Sequence, residues 1–150
     1  MPDKLPTRDD PFDLQRFIDA QAPVYEQVCT ELAAGDKRSH WMWFVFPQLA
    51  ALGRSTTAIH FGIRSQAEAA AYLAHPKLGE RLRHCTSLVL GVQGRSAHQI
   101  FHSPDDLKFR SCMTLFGAVA PDEPLFAQGL ARYFDGQADP LTQQWLAAQA

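Results

Sequence analysis

Ser39-His40-Trp41-Met42-Trp43-Phe44-Val45-Phe46-Pro47-Gln48 is the stretch on which the fold class turns. Its residues are strongly β-prone. Strand alternation would set His40, Met42, Phe44 and Phe46 on one face against Trp41, Trp43 and Val45 on the other. Read as a helix, Ser39 is an N-cap and Pro47 a stop, and the two turns between them are apolar all round and therefore buried on all sides. Composition leaves both readings open. The strand lacks a convincing partner, since Ala58 to Ile63 is the only other candidate and a weak one. Either way the run must bury most of itself while carrying His40, Gln48 and two indole N–H groups that need hydrogen-bond partners away from water. It is a core element with satisfied polar tips, or the wall of a pocket. As a helix it would place His40, Trp43 and Phe44 on one face and lead from Trp41 toward Val45 and Gln48. Aromatic walls with one imidazole and one amide suit a planar, hydrogen-bonding ligand such as a nucleobase or nicotinamide ring.

Outward from this run, helix signals recur to both ends. Asp13 is read as the cap of a short helix with Leu14, Phe17 and Ile18 inward, and Pro23 sits where a first helical turn accepts it. Val24, Val28 and Leu32 form an i, i+4, i+8 stripe that stops at Gly35. Gln66 to His75 is alanine-rich and helical up to Pro76. Leu78, Leu82, Cys85 and Val89 make another stripe, running into the Gly91-Val92-Gln93-Gly94 turn. Ser103-Pro104-Asp105-Asp106 offers a capping hydroxyl, a proline at the first helical position and two carboxylates at the positive end of the macrodipole. Leu125 to Phe134 is closed by Gly136, and Asp139-Pro140 repeats the cap-then-proline device. No repeat, low-complexity segment or shift in composition divides the chain. The expectation is an all-α, single compact multihelical domain with short helices over residues 13–150, after a flexible polar leader over 1–12.

At 150 residues the chain can bury roughly two thirds of its unfolded surface without a staple. A net charge of −2, a pI near 6.3 and scattered Arg and Lys exclude a nucleic-acid surface as an expectation. The longest apolar stretch, Trp41 to Leu52, is too short to span a bilayer, which needs about 20 residues. The first ten residues lack the apolar core of a signal peptide. Cys29, Cys85 and Cys112 are far apart in sequence and in apolar settings, which reads as reduced core thiols in a cytoplasmic protein rather than a disulfide framework.

A second constellation lies at Lys108-Phe109-Arg110-Ser111-Cys112-Met113-Thr114-Leu115-Phe116. Phe109, Cys112, Met113, Phe116 and Ala120 form its buried stripe, which leaves Lys108, Ser111 and Leu115 along one flank. A cation and a hydroxyl from adjacent turns can hold a phosphate or carboxylate; otherwise they are a solvated edge. His98 and His102 have metal-pair spacing but no third ligand nearby, so no metal is expected. Gly91 to Ser96 lacks Walker and Rossmann spacing, and no cofactor is implied. There is no nucleophile elbow and no paired-carboxylate dyad.

Taken together, Arg16 to Gln21, Gly35 to Gln48, Glu68 to Leu82 and Lys108 to Phe116 resemble a bacterial family of small proteins of unknown function, over nearly the whole chain from Asp13 to Trp145. Its members often carry the label "calpastatin", which nothing in this chain supports. The resemblance implies a compact all-helical fold and a helix at 40–46. It extends at a distance, on size, helical character and an aromatic-rich pocket, to the NADAR family, linked to NAD and ADP-ribose chemistry. No enzyme's catalytic residues align onto this chain. Cys112 departs from the pattern, which implies a second serine after Ser111.

Two expectations about function follow. In the first, a small-molecule site for a nucleotide- or ADP-ribose-like ligand has Trp41 and Trp43 as stacking walls, His40 and Gln48 as polar contacts, and Lys108, Arg110 and Ser111 around an anionic group. In the second, the chain is a non-catalytic protein-interaction module and the tryptophan motif is simply core. Oligomeric state is not legible.

Overall fold

In a computed structural model, described over residues 9–149, the chain is all-α. Ten helices run in order: α1 Gln15–Gln21, α2 Tyr25–Ala33, α3 Met42–Val45, α4 Thr56–His60, α5 Gln66–Ala74, α6 Pro76–Gly91, α7 Ala97–Phe101, α8 Asp105–Val119, α9 Pro124–Phe134 and α10 Pro140–Gln149. The two longest, α6 and α8, frame the molecule, and α5 and α9 each pack against both of them. On the outer side of α6 lies α2; α7 and α10 cover α8; α3 rests between α1 and α6. The first eight residues of the expected leader lie outside the described residues. The next four belong to the fold: Phe12 packs against the core, and Asp10 accepts the Leu14 and Gln15 amides.

Helix starts follow local chemistry. Ser55, Ser65, Ser96 and Asp139 each accept an amide from the turn that follows, and His75 does so through its ring before Pro76 opens α6. Three expected caps differ. Asp10 rather than Asp13 caps α1, because Asp13 turns into a left-handed conformation (φ 51°) that carries its side chain out of capping position. Ser103 does not cap α8, whose first amides are taken instead by the His102 and Pro104 carbonyls. Ser39 does not cap α3, because its hydroxyl donates to the carboxylate of Glu31.

The strand-or-helix question at 40–46 resolves to helix, but a single turn. Trp41 and Phe46 flank four helical residues. Gln21 stabilises this short element by donating its side-chain amide to the Phe44 carbonyl at 2.6 Å and to the Tyr72 hydroxyl, while Arg81 donates to its oxygen. A trace of extended pairing survives just beyond: Leu49 and Ile63 form an isolated parallel bridge, so the weak strand candidate pairs at its last residue alone.

The core is aromatic. Phe46 meets Phe101 and Phe109 edge to face at 5.8 and 5.1 Å, Phe17 meets Tyr72 at 5.0 Å, and Tyr72 continues to Phe116 and Phe126. Fully burying each such ring contributes roughly 2–3 kcal/mol. Where a single buried stripe was expected on α8, Ser111, Thr114 and Leu115 are buried with it, as befits a helix covered by neighbours on several sides. Among the described residues no helix is long and apolar enough to cross a membrane.

Candidate functional site

Gly35 ends α2 in the left-handed region (φ 70°) that glycine adopts without a steric penalty, and the Asp36 amide reaches back to the Glu31 carbonyl. The chain then folds across Glu31, whose side chain organises everything up to the tryptophan motif. One carboxylate oxygen accepts the Arg38 and Ser39 amides (2.8 and 3.0 Å) and the Trp41 indole N–H (2.9 Å); the other accepts the Ser39 hydroxyl and the Gln27 amide. Burial alone would raise this carboxyl's pKa. The hydrogen bonds from Ser39, Arg38 and Trp41 outweigh burial and hold it at about 2.

Lys37, 7% exposed, is enclosed beside this knot. Its ammonium donates to the Ser39 carbonyl at 2.6 Å, pairs with Asp105 Oδ2 at 2.9 Å and lies 4.9 Å from the centre of the Trp41 ring. Asp105 belongs to the first turn of α8, where the helix dipole favours a carboxylate. Its other oxygen faces Lys108 Nζ at 3.5 Å, and that same ammonium sits 5.2 Å over the Trp43 ring. Two lysines therefore share one carboxylate at the edge of the motif. Nearby, Asp36 pairs with His102 at 3.0 Å and Arg38 at 2.8 Å; the His102 hydrogen bond, with Arg38 adding its charge, holds the Asp36 carboxyl below its usual range. His98 pairs with Asp106 at 3.5 Å, so the two histidines with metal-pair spacing engage different carboxylates.

The seven residues singled out from sequence thus separate. Trp43 and Lys108 are in contact. Trp41 joins them through Lys37 and Asp105, but at 1% exposure it is enclosed, with its N–H already satisfied by Glu31. Trp43 is half-buried, and its indole N–H has no protein partner among the described residues. His40 is exposed at the entry to α3, and Gln48 is half-buried, with its backbone carbonyl bonded to the Ile63 amide. Arg110 points elsewhere: its guanidinium donates to the Gln137 and Ala138 carbonyls and fastens the α9–α10 connection. Ser111 is buried and bonds back to the Leu107 carbonyl of its own helix.

Sequence reasoning passed over Glu31 and the roles of Lys37 and Asp105. One signal was available. A carboxylate in the last turn of a helix opposes the macrodipole, so Glu31, four residues before Gly35, needed a specific set of donors to be stable there.

The family described as "Protein of unknown function (DUF1810)" matches residues 11–146. The chain belongs to the DUF1810 family. Among solved structures, this DUF1810 protein is similar to the conserved hypothetical protein Rv1873 from Mycobacterium tuberculosis, with 56% identity and a TM-score of 0.91, over 92% of this chain and 99% of that one. No curated protein matches the chain. The family of unknown function and the all-helical fold implied by the motif resemblance are thereby established, with a bacterial relative.

Proposed function

We propose that this DUF1810 protein binds a small planar molecule carrying an anionic group, of the nucleotide or ADP-ribose type, at the edge formed by Trp43 and Lys108, with His40 as a further contact. The observation that carries the reading is the placement of Lys108. Its ammonium rests on the Trp43 ring and shares Asp105 with a second, better-placed lysine. A cation–π contact at a partly exposed site is worth about 0.5–1 kcal/mol, whereas a hydrogen bond to a charged group contributes about 1.5–3 kcal/mol. An incoming phosphate would therefore draw Lys108 off the ring at little cost. A planar group could then take the vacated indole face, and Trp43 N–H and His40 would supply polar contacts. Gln48 is proposed as a further polar contact. Arg110 and Ser111 act by holding α8 and the α9–α10 connection in place.

A second reading has its own support. Trp41, Met42, Val45 and Phe46 are enclosed as core, and Leu107, beside Lys108, is 54% exposed. That combination would suit a protein partner on α8.

The test is thermal stabilisation by ADP-ribose, NAD and AMP, one at a time. A ligand at 100 times its dissociation constant stabilises by about 2.7 kcal/mol. The shift is expected to vanish in Lys108→Ala and in Trp43→Ala and to persist in Arg110→Ala. Absence of any shift with all three ligands, or a full shift in both of the first two variants, overturns the proposal.

A further inference from the structure

In a chain of net charge −2, the run from Lys77 to His84 on α6 carries Lys77, Arg81, Arg83 and His84 against a single carboxylate, Glu80. Lys77, Arg81 and His84 stand at i, i+4 and i+7, so they line up along one side of the helix over about 10 Å. With Glu80 and the Tyr25 ring of α2 they line an open hollow of about 640 Å³. Arg83 borders the same hollow but is committed elsewhere: it pairs with both oxygens of Glu123 at 2.6 and 3.2 Å and donates to the Leu73 carbonyl. The start of α6 is closed as well, since the His75 ring accepts the Lys77 and Leu78 amides.

Arg81 is held differently. Its half-buried guanidinium lies 4.7 Å from the centre of the Tyr25 ring and donates through Nη1 to Gln21 Oε1 at 3.2 Å. Gln21 is buried and itself fixed, because its amide nitrogen donates to the Phe44 carbonyl and the Tyr72 hydroxyl. Uncharged partners therefore set the guanidinium in place. Among the described residues no carboxylate pairs with Arg81 or Lys77. A guanidinium positioned in advance, with its charge unmatched and donors to spare, loses little freedom when an anion arrives and gains charge-assisted hydrogen bonds. We propose that this hollow binds an oligophosphate, a short chain of linked phosphate groups such as inorganic triphosphate, with Arg81 and Lys77 as the principal contacts and His84 beyond them. The line of three side chains is longer than one phosphate can follow, which selects a chain of them. Arg81 already stacks at the Tyr25 ring, so the phosphates, and not a base, are the part recognised. Glu80 opposes the anion from within the hollow and disfavours ligands of low charge. The hollow shares no residue with the Trp43–Lys108 edge and stands independently of it.

The test is calorimetric titration of the full-length protein with sodium tripolyphosphate at low ionic strength, where exposed charges are least screened. Saturable binding at one site is expected. Lys77→Ala and Arg81→Met should each raise the dissociation constant about tenfold or more. Glu80→Gln should tighten binding about threefold, and Lys108→Ala should leave it unchanged. Arg81→Met removes a donor from buried Gln21, so its fold is checked by circular dichroism; Lys77 and Glu80 are exposed, and their variants keep the test decisive if it unfolds. Four results overturn the proposal: no saturable binding, affinity unaltered in both Lys77→Ala and Glu80→Gln, loss of binding in Lys108→Ala, or orthophosphate binding as tightly as tripolyphosphate.

Discussion

Glu31→Gln separates the charge of this side chain from its shape. In the fold the carboxyl is held at about 2 against an ordinary value of 4.5, so its ionisation contributes about 3 kcal/mol of stability at neutral pH. Because the folded value is the lower one, that contribution is present above about pH 4.5 and is lost as the pH falls toward about 2. By about pH 3 somewhat under half of it remains. The amide is nearly isosteric, but its nitrogen would face donors, the Ser39 hydroxyl or the Gln27 amide, where a carboxylate oxygen accepts them now. Urea unfolding of both proteins, followed by far-UV circular dichroism, gives the difference in stability at each pH, and carboxylates common to both cancel. The expected difference is about 3 kcal/mol near pH 7, narrowing to about 1 kcal/mol near pH 3. A difference that does not change with pH, or one below about 1 kcal/mol at neutrality, would refute the assignment of charge to this knot.

Three further outcomes follow from the packing. Phe46→Ala removes the ring that meets both Phe101 and Phe109, and calorimetry or urea unfolding should register a loss of about 3–5 kcal/mol. Gly62→Ala would place a methyl 2.3 Å from the Ala50 Cα, against backbone that cannot swing aside; the expected loss is about 3 kcal/mol, and a thermal midpoint equal to that of the parent would contradict the close approach. Arg110→Ala frees the Gln137 and Ala138 carbonyls, so hydrogen exchange should accelerate across the α9–α10 connection while the Trp43 edge keeps its protection.

Periodicity carried the helices well where one face is apolar and the other wet, as on α2 and α6, because burial selects that pattern directly. It misjudged α8: Ser111 and Leu115 read as a flank beside the buried stripe, yet both are buried, and Ser111 is satisfied by the carbonyl one turn back, a local bond that leaves no mark in the pattern. A cap was legible where donor and acceptor lie within three residues, as at Asp139, and illegible at Ser39, where a carboxylate from another helix outcompetes the local amides. The contact between Trp43 and Lys108 joins segments far apart in sequence, and each was singled out on its own chemistry. Of what bridges them, Asp105 read only as a dipole-compensating carboxylate and Lys37 carried no reading, since nothing local distinguishes a buried ion pair from two surface charges.

The contrast between Trp41 and Trp43, two residues apart on one turn, gives the molecule two optical gauges. Trp41 is sealed from solvent, with its N–H on a carboxylate and an ammonium over its ring; its emission will lie to the blue and stay out of reach of acrylamide until the core opens. Trp43 is half-buried under Lys108, so under the proposed ligand reading quencher access and emission there will follow occupancy of its edge. Single-tryptophan variants can therefore read loss of structure at one position and, on the proposed reading, arrival of a ligand at the other, as separate signals from one chain.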